Sequence, residues 1–193
     1  LDATRYREKL ISAFVSSMEA RDPYTQGHSQ RVGEYAKLIA LQMRCTAKQL
    51  DTIREGALLH DIGKIGVSDL ILHKPGLLLR EEREIIQQHP AIGVDIVEKV
   101  GLSDAVMEMI RSHHERFDRK GYPDGLYAGD LRLSTRILSV ADAYDAMTSD
   151  RPYRSSISLA QAREELQHGK GTQFDPDVVE AMLAVMDEKE RMA

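Results

Sequence analysis

The chain has 193 residues, a net charge of −5, 42% hydrophobic and 30% charged residues. That length and balance suit one globular domain with a real core, and they exclude long disorder and generic nucleic-acid binding. No apolar run approaches the roughly 18 residues of a membrane-spanning helix, and no signal-peptide core follows Leu1, so a cytoplasmic setting is expected. A single cysteine, Cys45, stands against seven histidines. A metal held by this chain is therefore held by imidazole and carboxylate, with no thiolate framework.

Helix-forming residues dominate, and the periodicity predicts an all-α fold. A first helix spans Asp2 to Ala20 with Leu10, Phe14 and Val15 on one face and Met18 close by. It either packs onto the bundle or pairs with a second chain as a homodimer. Val32, Ala36, Ile39 and Ala40 mark a second helix. Thr46 caps a third that runs to His60, carries Ile53, Ala57 and Leu58, and is ended by Gly63. A fourth covers Arg80 to Gln88, and Pro90 opens a fifth over Ala91 to Val100. Ser103 caps a sixth reaching about Glu115. Phe117 to Leu133, with three Gly and one Pro, reads as a loop. Arg136 to Thr148 is helical, and Ser158 and Asp175 or Pro176 open two final helices. No strand pattern is visible.

Polar clusters fall at the ends of these helices: Asp22 to His28, His60-Asp61, His89, His113-His114-Glu115, and Asp142 with Asp145. Each has an ordinary alternative. A single His60 would be a hydrogen-bonded core histidine, and His113-His114 alone an exposed pair. As a set they are harder to explain, because burying His60, Asp61 and Asp142 without a partner would cost several kcal/mol. A shared cation removes that cost. His73 and His168 read as a turn residue and a helix C-terminal residue, and Met107, Met109 and Met182 as core.

The ordered motifs DPYTQGHSQRV (22–32), HDIGKIGV (60–67), HP (89–90), HHERF (113–117), GYPDGL (121–126), VADAYDAMTSDRPYR (140–154) and GTQFDPDVV (171–179) resemble the HD-GYP subfamily of HD-domain metal-dependent phosphohydrolases. The resemblance covers about four-fifths of the chain. It implies a helical bundle with a five-helix HD core, extra C-terminal helices and a GYP loop. It also implies a helix at 1–20 that packs on the core or links to an upstream sensor or receiver domain, followed by a catalytic domain over 21–193. The implied activity is hydrolysis of cyclic di-GMP to pGpG or GMP. Another cyclic dinucleotide, another phosphoester, or a regulatory module that docks a GGDEF-type cyclase or adaptor through the GYP loop stand as alternatives.

Carried over by the resemblance, His28, His60, Asp61, His89, His113, His114 and Asp142 hold two divalent ions, iron or manganese, with zinc or nickel accepted on purification. Asp61 bridges; His28, His60 and Asp142 complete one site, and His89, His113 and His114 the other. Two such ions about 3.5–4 Å apart share a hydroxide and clamp phosphate oxygens. Lys64 reaches a phosphate oxygen or the bridging water, or is a helix-end lysine. Arg151 and Arg154 contact the second phosphate or a guanine, and Gly121, Tyr122 and Pro123 line the substrate. Asp145 contacts the nucleotide, orients a ligand histidine or pairs with an arginine. Two departures stand out. Arg119 occupies the first glycine position of the GYP loop, a strained choice if that position needs positive φ. Tyr24 stands where some relatives carry a Glu able to hold a further ion, so two ions are expected, not three.

Overall fold

The computed structural model describes residues 9, 11–17, 21, 27–150 and 155–192. Nine α-helices lie among them: α1 (His28–Gln42), α2 (Ala47–Leu59), α3 (Asp69–Leu72), α4 (Arg80–Ile86), α5 (His89–Val97), α6 (Asp104–Ser112), α7 (Leu133–Thr148), α8 (Leu159–Gly169) and α9 (Pro176–Met192). Residues 11–17 are also helical. Short 3-10 turns occupy Ile62–Gly66, Glu98–Val100 and Ala128–Asp130. Among the described residues there is no strand, only isolated bridges at Arg116–Tyr127 and Lys170–Phe174. No helix there is long and apolar enough to cross a membrane.

Helix α7 is the central post. It packs against α1, α2, α6, α8 and α9, and its Ile137, Leu138, Val140 and Ala141 are fully buried. They join Val32, Ala36 and Ile39 of α1, Ile53 and Ala57 of α2, and Val178, Val179 and Met182 of α9 in the main core. A second cluster gathers Ile11, Val15, Leu59, Ile62, Val97, Val106 and Ile110. His60 and Asp61 of the candidate site interrupt this second cluster along the chain, between Leu59 and Ile62.

Local signals set most helix starts. Thr46 and Gln49 form a reciprocal capping box, as do Ser158 and Gln161, and Ser103 caps α6. Asp175 accepts from the Asp177 amide at 2.8 Å ahead of Pro176 at the start of α9. The end of α1 is a Schellman turn: Cys45 N–H donates to Ala40 O at 2.9 Å and Arg44 N–H to Leu41 O at 3.0 Å, with Arg44 at φ 56° in the usual glycine position.

Four expectations change. Helix α2 ends at Leu59, and Gly63 does not terminate it; Gly63 lies inside the following turn. Its function is close approach, since a Cβ there would sit 1.8 Å from His89 O and 2.5 Å from Gly93 N. Helix α6 stops at Ser112, with His113 as its C-cap and His114 and Glu115 beyond its end. Helix α7 begins at Leu133, ahead of Arg136, because Glu108 of α6 accepts from Arg132 N at 2.8 Å and from Thr135 Oγ1 at 2.8 Å. In the first helix Ile11 and Val15 are buried while Phe14 is 39% exposed; Leu10 and Met18 lie outside the described residues.

Candidate metal centre

Helix ends deliver most of the candidate ligands. His28 and His89 are the first residues of α1 and α5, His60 and His113 the C-caps of α2 and α6, and Asp142 projects from the middle of α7. Helix termini leave backbone groups unpaired, and the histidines use them. His60 Nδ1–H donates to Ala57 O at 2.8 Å, His89 Nδ1–H to Ile86 O at 2.8 Å, and His113 Nδ1–H to Ile110 O at 3.0 Å. A carbonyl only accepts, so each Nδ1 carries the proton and each Nε2 presents a lone pair inward. His28 Nδ1–H donates to Asp145 Oδ2 at 2.7 Å.

Those lone pairs converge with nothing from the protein to satisfy them. His60 Nε2 is buried and has no hydrogen-bond partner. His89 Nε2 and His113 Nε2 face each other at 3.4 Å, an unfavourable arrangement of two acceptors. Such groups cost about 1–3 kcal/mol each when left unsatisfied. A cation is the species that fits them, and the donor atoms of three groups of residues lie within 4.8 Å of one another: His28, His60 and Asp142; His89, His113 and His114; and His60, Asp61 and His113. Asp61 stands between the first two groups. Its Oδ2 is 3.5 Å from His60 Nε2 and 3.8 Å from His28 Nε2, while its Oδ1 is 3.3 Å from His89 Nε2. The donor set of imidazole and carboxylate suits divalent transition metals.

Charge follows the same plan. Burial drives the His114 imidazole down to about 4 and the His113 imidazole well below its usual range, with His114, His60 and His89 adding to the latter. Burial also lowers His60. These rings are neutral donors at ordinary pH. Burial opposes ionisation of Asp61, yet Lys64, His60 and His89 outweigh it and hold the carboxyl well below the usual range. Asp142 is likewise held low against burial by His28 and His60. His28 is the exception: burial disfavours its charge, but hydrogen bonds to Asp142 and Asp145 raise it to about 9. Its Nε2, 3.3 Å from Asp142 Oδ1, then carries positive charge between two carboxylates.

The comparisons with known proteins agree with this geometry. A family model described as HD domain matches residues 14–178. The chain belongs to the HD-domain family. Within that family its motifs place this HD domain in the HD-GYP branch. It is 38% identical over 182 residues to "3'3'-cGAMP-specific phosphodiesterase 3" of Vibrio cholerae, covering 94% of this chain and 40% of that protein. It is 42% identical over 172 residues to "Cyclic di-GMP phosphodiesterase" of Thermotoga maritima, covering 88% and 47%. The crystal structure of a cyclic GMP-AMP specific phosphodiesterase of V. cholerae superposes with a TM-score of 0.62 at 35% identity, over 97% of this chain and 42% of that one. The HD domain thus spans less than half the length of these relatives.

Lys64, two residues into the turn after Asp61, donates Nζ to Asp61 Oδ2. Of the three roles left open for Asp145, orienting a ligand histidine and pairing with an arginine match its surroundings, and contact with the nucleotide does not. Asp145 is 1% exposed, and its carboxylate accepts from His28, from Arg31 Nε at 2.7 Å and from Ser149 Oγ at 3.2 Å. It stands behind a candidate ligand and orients it. Arg151 and Arg154 lie outside the described residues, as do Asp22 to Gln26 with Tyr24.

The loop after His114 forms one wall. The Tyr122 ring stacks on His114 with centroids 4.6 Å apart, and Gly121 passes so close that a Cβ would lie 2.5 Å from Glu115 Cα. A cavity of 280 Å³ opens there, lined by His113, His114, Asp142, Tyr122, Lys120 and Gln173 among others. Pro123 follows in a cis peptide after Tyr122. Arg119 adopts φ 61°, the strained conformation expected of that position, with its guanidinium 5.4 Å from the Tyr127 ring centroid.

Two residues had no role assigned from sequence. Glu115 is 2% exposed, and its carboxylate accepts the backbone N–H groups of Asp124 at 2.8 Å, Gly125 at 3.1 Å and Leu126 at 2.8 Å. It anchors the GYP loop beside the two histidines. Its signal was adjacency, an acid directly between His-His and a glycine-rich loop. Arg31 neutralises Asp145, and its signal was the i, i+3 spacing from His28.

Proposed function

We propose that this HD domain is a metal-dependent phosphodiesterase that opens a cyclic dinucleotide, cyclic di-GMP first among them, giving pGpG or GMP. The observation that carries the reading is Asp61, whose two carboxylate oxygens face two separate imidazole groups around the unpartnered His60 Nε2. His28, His60 and Asp142 would hold one divalent ion, His89, His113 and His114 a second, with Asp61 common to both. The imidazole and carboxylate donors suit divalent transition metals, and the resemblance to the HD-GYP subfamily favours iron or manganese among them. Bound there, the ions would supply Lewis-acid activation of water and neutralise charge on the phosphoryl oxygens.

The chain's own residues do the rest. Lys64, already at Asp61, offers an ammonium to a non-bridging phosphate oxygen in the transition state. Asp145 and the carbonyls of Ala57, Ile86 and Ile110 hold four imidazoles by Nδ1–H, so that each Nε2 would turn its lone pair to an ion, His28 after giving up its second proton. Tyr122 and Lys120 border the cavity at His114, where they would meet the dinucleotide. Arg151 and Arg154 remain candidates for the second phosphate. A mixed substrate, 3'3'-cGAMP, is a second reading because a relative at 38% identity bears that name.

Anaerobic turnover of both cyclic dinucleotides, beside an Asp61→Ala control, tests the assignment. Turnover by the iron- or manganese-loaded chain and none by the control supports it. Equal rates for the two proteins would refute it, and preference between the dinucleotides decides the substrate.

A further inference from the structure

The turn Ile62–Gly66 follows Asp61 directly, and it and the next residue present the carbonyls of Lys64, Ile65 and Val67, the first of which also accepts from Val67 N–H at 3.0 Å. One side chain collects them. Arg21 donates Nη1–H to Ile65 O at 2.5 Å and to Lys64 O at 3.3 Å, Nη2–H to Val67 O at 2.5 Å, and Nε–H to Asp69 Oδ1 at 2.9 Å. Four acceptors within six residues are thus held by one planar guanidinium, a geometry an ammonium cannot reproduce. The same N-terminal segment touches the turn a second time, because Ile11 and Val15 pack in one apolar cluster with Leu59 and Ile62 on either side of His60-Asp61.

We propose that Arg21 is a positioning residue: it fixes the backbone of the Asp61–Lys64 turn and so ties the N-terminal helical segment to the reaction centre. The guanidinium holds Lys64 by its own carbonyl, and Lys64 in turn reaches Asp61. Loss of the guanidinium would release Ile65 O and Val67 O and leave Lys64 O to the Val67 N–H alone, loosening the turn that carries the ammonium. Displacements of about 1 Å near a reaction centre cost up to a hundredfold in rate.

The catalytic half of this inference rests on the phosphodiesterase reading, so its test has two readouts on the metal-loaded chain. Amide hydrogen exchange over residues 62–69 is compared in wild type, Arg21→Ala and Arg21→Lys. Turnover is compared in the same proteins, in Lys64→Ala and in the Arg21→Ala/Lys64→Ala double variant. Arg21→Ala should speed exchange in 62–69 and not in α7, and should lower kcat by about tenfold or more. Arg21→Lys should fall between. In the Lys64→Ala background the further loss on removing Arg21 should vanish, as expected when one residue acts through the other. Unchanged exchange, or an equal kcat loss in both backgrounds, overturns the proposal. If the wild type turns over no cyclic dinucleotide, the phosphodiesterase reading alone fails, and the exchange comparison still decides whether Arg21 holds the turn.

Discussion

Asp145 and Arg119 show how single positions divide between chemistry and strain. Asp145 touches His28 and not the cavity, so its contribution passes through the ring it orients. Asp145→Asn keeps an acceptor for Nδ1–H but removes the charge. Metal affinity should fall by about 10–100-fold with the fold retained, as read by titration with manganese and by circular dichroism. Arg119 holds φ 61° at a cost of about 1 kcal/mol, offset in part by its contact with Tyr127. Arg119→Ala loses the contact and keeps the strain, whereas Arg119→Gly loses both. The glycine variant should therefore exceed the alanine variant in denaturant stability by about 1 kcal/mol, and the reverse order would show that the position is unstrained.

At the scale of elements, the helices were legible in the sequence wherever local chemistry sets them. The caps at Thr46, Ser103 and Ser158 and the apolar rows of α1 and α2 lie within a few residues of what they control. What escaped is tertiary. Glu108 starts α7 from another helix, and Gly63 is required by the backbone of α5, which a sequence window does not contain. The GYP loop is the same case, because its clamp is a carboxylate nine to eleven residues away from the amides it holds. Glu115→Ala leaves three amides without that acceptor and should cost about 3 kcal/mol or more. Thermal denaturation and faster amide exchange over 118–126 would register it, and an unchanged loop would show that water replaces the carboxylate without cost.

Across the whole molecule, an acidic chain of net charge −5 gathers neutral imidazoles and depressed carboxylates at one buried centre. The candidate ligands were legible because they sit in ordered motifs. Their division into two groups around Asp61 follows the resemblance; the donor atoms come within reach in those two groups and in a third, His60, Asp61 and His113, that spans them. Behind them, the orienting role of Asp145 was one of those the sequence left open, whereas Arg31 and Arg21 act across the fold and were not legible in role. Ligands that assemble only in the folded chain couple metal to stability. Chelation should lower the melting temperature, by the equivalent of about 2.7 kcal/mol where metal had stood at a hundred times its Kd. Readdition of manganese should restore it. In Asp61→Ala the chelator should move the melting temperature far less.

The most direct measurement is metal content and turnover on one anaerobic preparation. Two ions per chain, cleavage of cyclic di-GMP or 3'3'-cGAMP, and loss of that cleavage in Asp61→Ala are the expected result. One ion or none in a fully active preparation, or no cleavage of either dinucleotide by a chain carrying two, would contradict the dinuclear phosphodiesterase built around Asp61.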